Sequence, residues 1–441
     1  MSKIEHNMSL TAEAPAKLST TQRLASGIGL VGLFILVLAV ANVNFPNKTL
    51  FLSLSLGLIA VGTIIFANDL YLGKHEGIKN DGVWFKSLSG RGFWAWILGI
   101  SLTLFYVVLY WYPQYLGLNA DGANTGIIAL FDPLSQFISG NPASQWFVYG
   151  TLYTLAILIF GYKFILKYRN NRYEVIRTFS VMFFQLGFAF LLPEILIRLN
   201  QPYYNPANIW PLNYDLFTDY KINEFLSAGN VGVIMLAFGL ISIFVITPIL
   251  TYKYGKRWYC SWVCGCGGLA ETAGDPYRQL SNKSQYAWKI ERWVIHSVLV
   301  FVTVMTIAVL YSFLGDSAND FWLTKDVFLW STAGFLTLFF AVIMIFKRKE
   351  LAKDAKYGAV GYLVVILSII SLNYFSGNGN IFFFGGYQLR EWYGFLIGAA
   401  FSGVIGVGFY PIFGSRVWCR YGCPMAAILG MQQQLLSRFR I

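Results

Sequence analysis

Three of the chain's five cysteines, Cys260, Cys264 and Cys266, fall within seven residues in the stretch GKRWYCSWVCGCGGLAE. The other two, Cys419 and Cys423, stand in GSRVWCRYGCPMAAILGM. Both stretches read glycine, any residue, arginine, any residue, an aromatic, cysteine, three residues, cysteine. Gly255 aligns with Gly414, Arg257 with Arg416, Tyr259 with Trp418, Cys260 with Cys419 and Cys264 with Cys423, each at an offset of 159. If each pair starts a helical turn, a spacing of four puts both sulfurs on one helix face. Two such pairs brought together make a four-thiolate cage. Tetrahedral sulfur coordination suits iron–sulfur clusters and structural zinc alike. Lys256, Arg257, Arg416 and Arg420 would offset the charge of a thiolate-bound centre and lower the thiol pKa values. Cys266 is either a further, alternative ligand or a free thiol.

The elements that must position these thiols are membrane helices. Of 441 residues, 56% are hydrophobic and only 12% are charged, and the apolar residues fall in runs of about 20, the length that spans a bilayer as a helix. The expected fold is all-α, a polytopic helical bundle with spans at 24–43, 49–68, 92–112, 146–166, 176–197, 229–250, 293–314, 327–346, 358–375 and 392–412. The first 22 residues are polar and no small-residue cleavage site follows, so the first span reads as retained. Loops rich in Lys and Arg are held on the cytoplasmic side. They are the loop with Lys74, Lys79, Lys86 and Arg91, the loop with Lys163, Lys167, Arg169, Arg172 and Arg177, the first cysteine loop, and the loop from Lys347 to Lys356. The opposite loops carry only Lys48, Arg198, Lys221, Lys325 and Arg390. Both termini and both cysteine motifs are therefore expected to be cytoplasmic, in an inner membrane. The net charge of +12 follows from topology and attraction to anionic lipid, and argues for no nucleic-acid partner.

Each cysteine copy follows a span with a proline near its inner end, Pro248 and Pro411, and four spans separate the copies. An even number preserves orientation, so the repeat is parallel. The expected organisation is a tail at 1–23, a helix pair and basic loop at 24–91, a first repeat at 92–292 and a second at 293–441. With every thiol on the reducing side, disulfides are disfavoured and metal or redox chemistry is favoured. Placement favours iron–sulfur over zinc, because helices that already bury ample surface have little use for a folding clamp.

The C-x-x-x-C-P element in WCRYGCPMAAILG, with Pro424 after Cys423 and basic and aromatic residues before it, resembles the membrane iron–sulfur proteins of the NapH/NosR type, the polyferredoxins. The resemblance covers the two motifs and their adjoining helices. It implies a cluster, 4Fe-4S foremost, held by Cys260, Cys264, Cys419 and Cys423, and electron transfer between the quinone pool or a cytoplasmic donor and a respiratory or reductive partner. Quinone is the second cofactor it suggests; a ferredoxin-like subunit and a periplasmic reductase are the expected protein partners. The first copy departs from the pattern, reading Cys264-Gly265-Cys266 where the family has Cys-Pro. The sequence also reaches Ile441 without the ferredoxin-type cysteine run that family members commonly carry, so separate subunits are expected to supply it, unless the chain is cut short at a domain boundary.

Glu194, in FLLPEILIRL, is an ionisable group in a span; it is expected either to pair with Arg198 four residues on or to accept a proton at a quinol site. His296, near the inner end of the seventh span, is a candidate quinone or metal contact or an ordinary packing residue. His6 and His75 lie outside any span, so the paired histidines of a membrane haem are missing, and no phosphate-binding loop is present. Trp258, Tyr259, Trp262, Trp418 and Tyr421 are placed to shield a centre from water, and the loops at 113–145 and 199–228 are long and polar enough to dock a partner or cap the helices. Two rivals stand beside electron transfer. A thiol–disulfide carrier would want its cysteines within the spans rather than at one face; a transporter or assembly subunit would keep activity after losing them.

Overall fold

The protein's structure, a computed structural model, describes residues 18–73, 83, 92–119, 123–315, 322–349, 353–376 and 385–436. The tail to residue 17, all of the basic loop 74–91 except residue 83, and the last five residues lie outside them. In chain order the helices are α1 Thr20–Val40, α2 Lys48–Tyr71, α3 Gly92–Trp111, α4 Gly126–Ile138, α5 Gln145–Lys167, α6 Arg172–Arg198, α7 Asp219–Ser227, α8 Asn230–Tyr254, α9 Arg257–Trp262, α10 Gly265–Glu271, α11 Gln285–Leu314, α12 Lys325–Phe346, α13 Lys356–Ser376, α14 Gly386–Gly408, α15 Tyr410–Phe413 and α16 Pro424–Leu436. All but α4, α7, α9, α10, α15 and α16 are long and apolar enough to cross a membrane, ten spans for the ten expected. No strand occurs among the described residues. Leu30, Phe34, Ile234, Phe244, Leu338 and Phe346 stand exposed on these spans, the arrangement of helices whose backbone bonds are satisfied internally and whose side chains meet lipid. The chain is a multi-pass membrane protein.

Several spans begin earlier than the apolar runs suggest, and in two of them a polar first turn is secured by a serine cap. The Ser19 hydroxyl accepts from the Gln22 amide at the start of α1, and the Ser284 hydroxyl from the Ala287 amide at the start of α11. Lys289 and Arg292, expected in a loop, therefore stand on α11.

The chain forms two compact units, Met1–Ala207 with Tyr259–Asn282 and Gly403–Val417, and Asn208–Trp258 with Lys283–Ser402 and Trp418–Ile441. The chain leaves one unit for the other between Trp258 and Tyr259, and again between Val417 and Trp418. Those two points are equivalent positions of the 159-residue repeat, crossed in opposite senses.

The first unit packs Leu36, Leu52, Leu109, Phe131, Phe147 and Phe190 into one core. The segment 113–145, expected to be a polar loop, instead supplies α4 to that core. Ile127, Ile128, Leu130 and Phe131 are fully buried, and the Asp132 carboxylate accepts from the Asn124 side chain and the Ala143 amide. The segment caps helices: its composition is polar, but its apolar residues cluster on one short helix. In the second unit, α11, α12 and α13 close around Val304, Ala308, Leu329, Ile366 and Ile370.

Candidate metal centre

The two cysteine elements fold alike. Gly255 and Gly414 both take a positive φ, 78° and 93°, with ψ 174° and 162°; this lies in a region a side chain disfavours and explains the glycine that opens each copy. Next, the amide of the second cysteine donates to the carbonyl of the aromatic residue five positions earlier, Cys264 to Tyr259 at 2.9 Å and Cys423 to Trp418 at 3.0 Å. This widened turn ends the preceding helix. Cys264 is extended (φ −70°, ψ 123°) and opens α10, while Cys423 stands just before α16. The expectation that each pair shares a face of one helix is thus corrected: the pair straddles a break, with the first cysteine on the outgoing turn and the second at the head of the next helix. Cys264 and Cys423 are buried, 6% and 5% exposed; Cys260, Cys266 and Cys419 are half-buried.

The elements also sit deeper than expected. In the first unit, α10 runs antiparallel along α6. A side chain on Gly265 would strike the Gln185 amide and one on Gly268 would strike Val181, while Glu271 pairs with Arg177 at 2.9 Å. Gln185 lies about 20 Å along α6 from Arg172, and Tyr153, which hydrogen-bonds Cys266, about 12 Å along α5 from Gln145. Both positions are near the middle of their spans, so Cys264 and Cys266 lie at mid-depth and α10 returns from there to the basic end. In the second unit α16 does the same. Gln433 accepts from the Lys256 amide just past the end of α8, ten residues or about 15 Å from Cys423, and Gly422 packs on Phe401 within α14. Motifs expected at the inner ends of the helices are therefore re-entrant. Irregular backbone at such depth is tolerated where protein buries it.

Glycine and hydrogen bonding hold the first element in place. A Cβ on Gly267 would lie 1.8 Å from the Cys260 carbonyl oxygen, so Cys-Gly-Cys-Gly-Gly, which departs from the Cys-Pro pattern, is the sequence that lets α10 touch α9. The Ser180 hydroxyl donates to the Trp262 carbonyl at 2.9 Å, and Gln185, buried in a π-helical stretch of α6, donates to Thr154 at 3.0 Å. The Tyr259 hydroxyl donates to the Ala207 carbonyl at 2.6 Å in full burial. Tyr259→Phe is expected to leave that carbonyl unsatisfied and to cost about 1–3 kcal/mol, read as a lower unfolding temperature in detergent or nanodiscs.

The basic residues expected to balance the thiolates are largely committed elsewhere. Arg416 pairs with Glu271, Arg420 with Glu291 at 2.7 Å, and Lys256 and Arg257 are exposed. Trp258, Tyr259 and Trp418 are buried around the elements as expected of a shield, and burial pushes the Tyr277 phenol, in the turn after α10, up to about 12. Glu194 does not pair with Arg198, which donates to the Phe137 carbonyl instead. His296 bonds the Arg292 carbonyl of its own helix.

Sequence reasoning singled out the cysteines and missed Tyr153, Gln185 and Tyr393. Each is one aromatic or amide among many in the spans; only the glycines beside Cys266 hinted that something packs closely there. Cys264 and Cys266 hydrogen-bond each other. Among the described residues no three His, Cys, Asp or Glu side chains are gathered as a metal site. The residues present fit a thiolate-held metal centre nonetheless. Each unit buries one thiol, Cys264 or Cys423, and leaves a second half-buried, and in the second unit the buried Tyr393 hydroxyl, within electrostatic range of Cys423, has no hydrogen-bond partner among the described residues.

Two segments of the chain, residues 236–284 and 395–440, match the model of a 4Fe-4S binding domain. Each holds one cysteine element with the end of the span that leads into it. No curated protein and no solved structure matches the chain. The chain is an iron–sulfur protein of the membrane, with two elements of the 4Fe-4S binding kind.

Proposed function

We propose that the chain is a NapH/NosR-type electron-transfer protein of the cytoplasmic membrane, its basic ends and termini inside, passing single electrons between the quinone pool or a cytoplasmic donor and a respiratory or reductive partner. The ligands in this reading are the thiolates of Cys260, Cys264, Cys419 and Cys423. Cys266, a free thiol hydrogen-bonded to Cys264 and Tyr153, keeps its neighbour oriented and is the reserve ligand. A bound iron–sulfur cluster supplies reversible one-electron chemistry. The chain's own residues exclude water through Trp258, Tyr259 and Trp418 and hold the first ligand turn through the Tyr259 and Ser180 hydrogen bonds.

The observation that carries this reading is the coincidence of the two 4Fe-4S-matching segments with two elements that share one hydrogen-bond scheme and enter the membrane to mid-depth. A centre at that depth is within reach of both faces, as a relay needs and a folding clamp does not. The depth also removes one objection to a thiol–disulfide carrier, whose cysteines belong within the spans, so that rival has to be tested directly. The test is iron, acid-labile sulfide and zinc per chain on protein purified without oxygen, alongside Cys419→Ser with Cys423→Ser. The expected result is stoichiometric iron and sulfide, about four of each if the pairs close on one centre and about eight if on two, with sharp loss in the double variant. Zinc alone would make the elements a clamp. Metal-free protein with thiols that exchange with an external disulfide would establish the carrier.

A further inference from the structure

Tyr393 stands on α14 and is 1% exposed, yet its hydroxyl has no hydrogen-bond partner among the described residues. An orphaned buried phenol has lost its water without a replacement partner, and a buried polar group left so asks for an acceptor that completes it. Its surroundings give it little freedom to find one elsewhere. The ring is held edge-on by Tyr214 and by Phe301, each at 5.3 Å between centroids. Gly394, next to it, leaves no room beside the Tyr214 hydroxyl, which a Cβ there would meet at 3.1 Å. Gly422, next to the buried thiol of Cys423, packs on Phe401, about two turns further along the helix that carries Tyr393, and Cys423 lies within electrostatic range of the phenol. Arg420, the cation between Cys419 and Cys423, is paired with Glu291.

We propose that the Tyr393 hydroxyl is a hydrogen-bond donor to the sulfur of the iron–sulfur centre held by Cys423, and sets its reduction potential. The inference rests on the iron–sulfur reading above and adds a residue that the cysteine pattern does not contain. Hydrogen bonds to cluster or ligand sulfur stabilise the reduced, more negative state and raise the potential. A donor in a water-poor site acts more strongly on the sulfur than one in water. Tyr393 is thus a tuning residue, and its removal changes no ligand.

The experiment is Tyr393→Phe, with Tyr214→Phe as its control, in full-length protein purified anaerobically into nanodiscs. Three quantities are read: iron and sulfide content, the midpoint potential by spectroscopically monitored titration, and the unfolding temperature of the metal-free chain. Tyr393→Phe is expected to keep its iron and to lower the potential by about a tenfold change in the reduction equilibrium, 59 mV for a one-electron couple. The metal-free chain is expected to be no less stable, because no hydrogen bond is lost in it; Tyr214→Phe is expected to leave the potential in place. An unchanged potential in loaded Tyr393→Phe would overturn the proposal. So would equal shifts in both variants, or loss of iron in Tyr393→Phe while the parent stays loaded. A parent without iron would instead sink the reading on which the proposal rests.

Discussion

Gly267→Ala is expected to empty the first cysteine element of iron although every cysteine remains. The added Cβ would lie 1.8 Å from the Cys260 carbonyl oxygen and 2.8 Å from its carbonyl carbon. Both are backbone atoms, so no rotamer change relieves the clash, and α10 must move away from the turn that carries Cys260. Overpacking of this kind costs roughly 1–3 kcal/mol or more. The larger effect is geometric, because a thiolate moved by an ångström no longer matches a coordination sphere whose bond lengths are fixed to a few tenths. Gly430→Ala supplies the contrast. Gly430 lies within α16 with nothing within 4 Å of a Cβ, and alanine in a helix interior is worth about 0.5–1 kcal/mol over glycine. The expected outcome is iron and sulfide well below parent in Gly267→Ala at preserved helical circular dichroism, and parent values in Gly430→Ala. Full iron in Gly267→Ala would show that the contact between α9 and α10 does not position Cys260 for the metal.

That glycine also marks where the sequence stopped being readable. The ten spans were legible because a run of about 20 apolar residues has few other uses, and the repeat because five matched residues recur at one offset. Both signals are local. The depth of the cysteines is not: α10 has seven residues and α9 six, too short to register as membrane segments, and Gly, Cys and Ser lower the apolar average of a stretch that protein, not lipid, buries. The break between Cys260 and Cys264 was equally hidden, since C-x-x-x-C is compatible with a continuous helix until the amide of Cys264 is seen to reach back five residues. What the sequence did hold was the cluster Gly265, Gly267 and Gly268, which reads as flexibility in isolation and as close approach only once α6 and α9 are in place. Arg416 and Arg420 were legible as basic neighbours of the thiols, but not as partners of Glu271 and Glu291, because those carboxylates lie 145 and 129 residues away.

The re-entrant path requires an anchor at the basic end of the first unit, and Asp275→Ala is expected to release it. Asp275 follows α10 at the point where the chain leaves the membrane interior. Its carboxylate takes Lys167, at the end of α5, at 2.5 Å, and Arg278 at 2.7 Å. The Lys167 and Asp275 side chains are 1% and 6% exposed, so neither charge has water to fall back on. Removing one partner of a buried pair typically costs about 3–5 kcal/mol, because the remaining charge stays desolvated. Replacing both, Lys167→Met with Asp275→Leu, is expected to recover much of that loss, since the charge left behind is then that of Arg278, whose side chain is 25% exposed and keeps access to water. The readouts are unfolding temperature and protease sensitivity near residues 272–284, measured with and without metal. If the ion pair anchors α10, Asp275→Ala frays this segment and lowers iron retention, while the double variant restores both. A single variant as stable as the parent would mean that lipid headgroups or Arg278 already compensate the charge, and that the hydrogen bonds of Tyr259 and Ser180 alone hold the cysteines at depth.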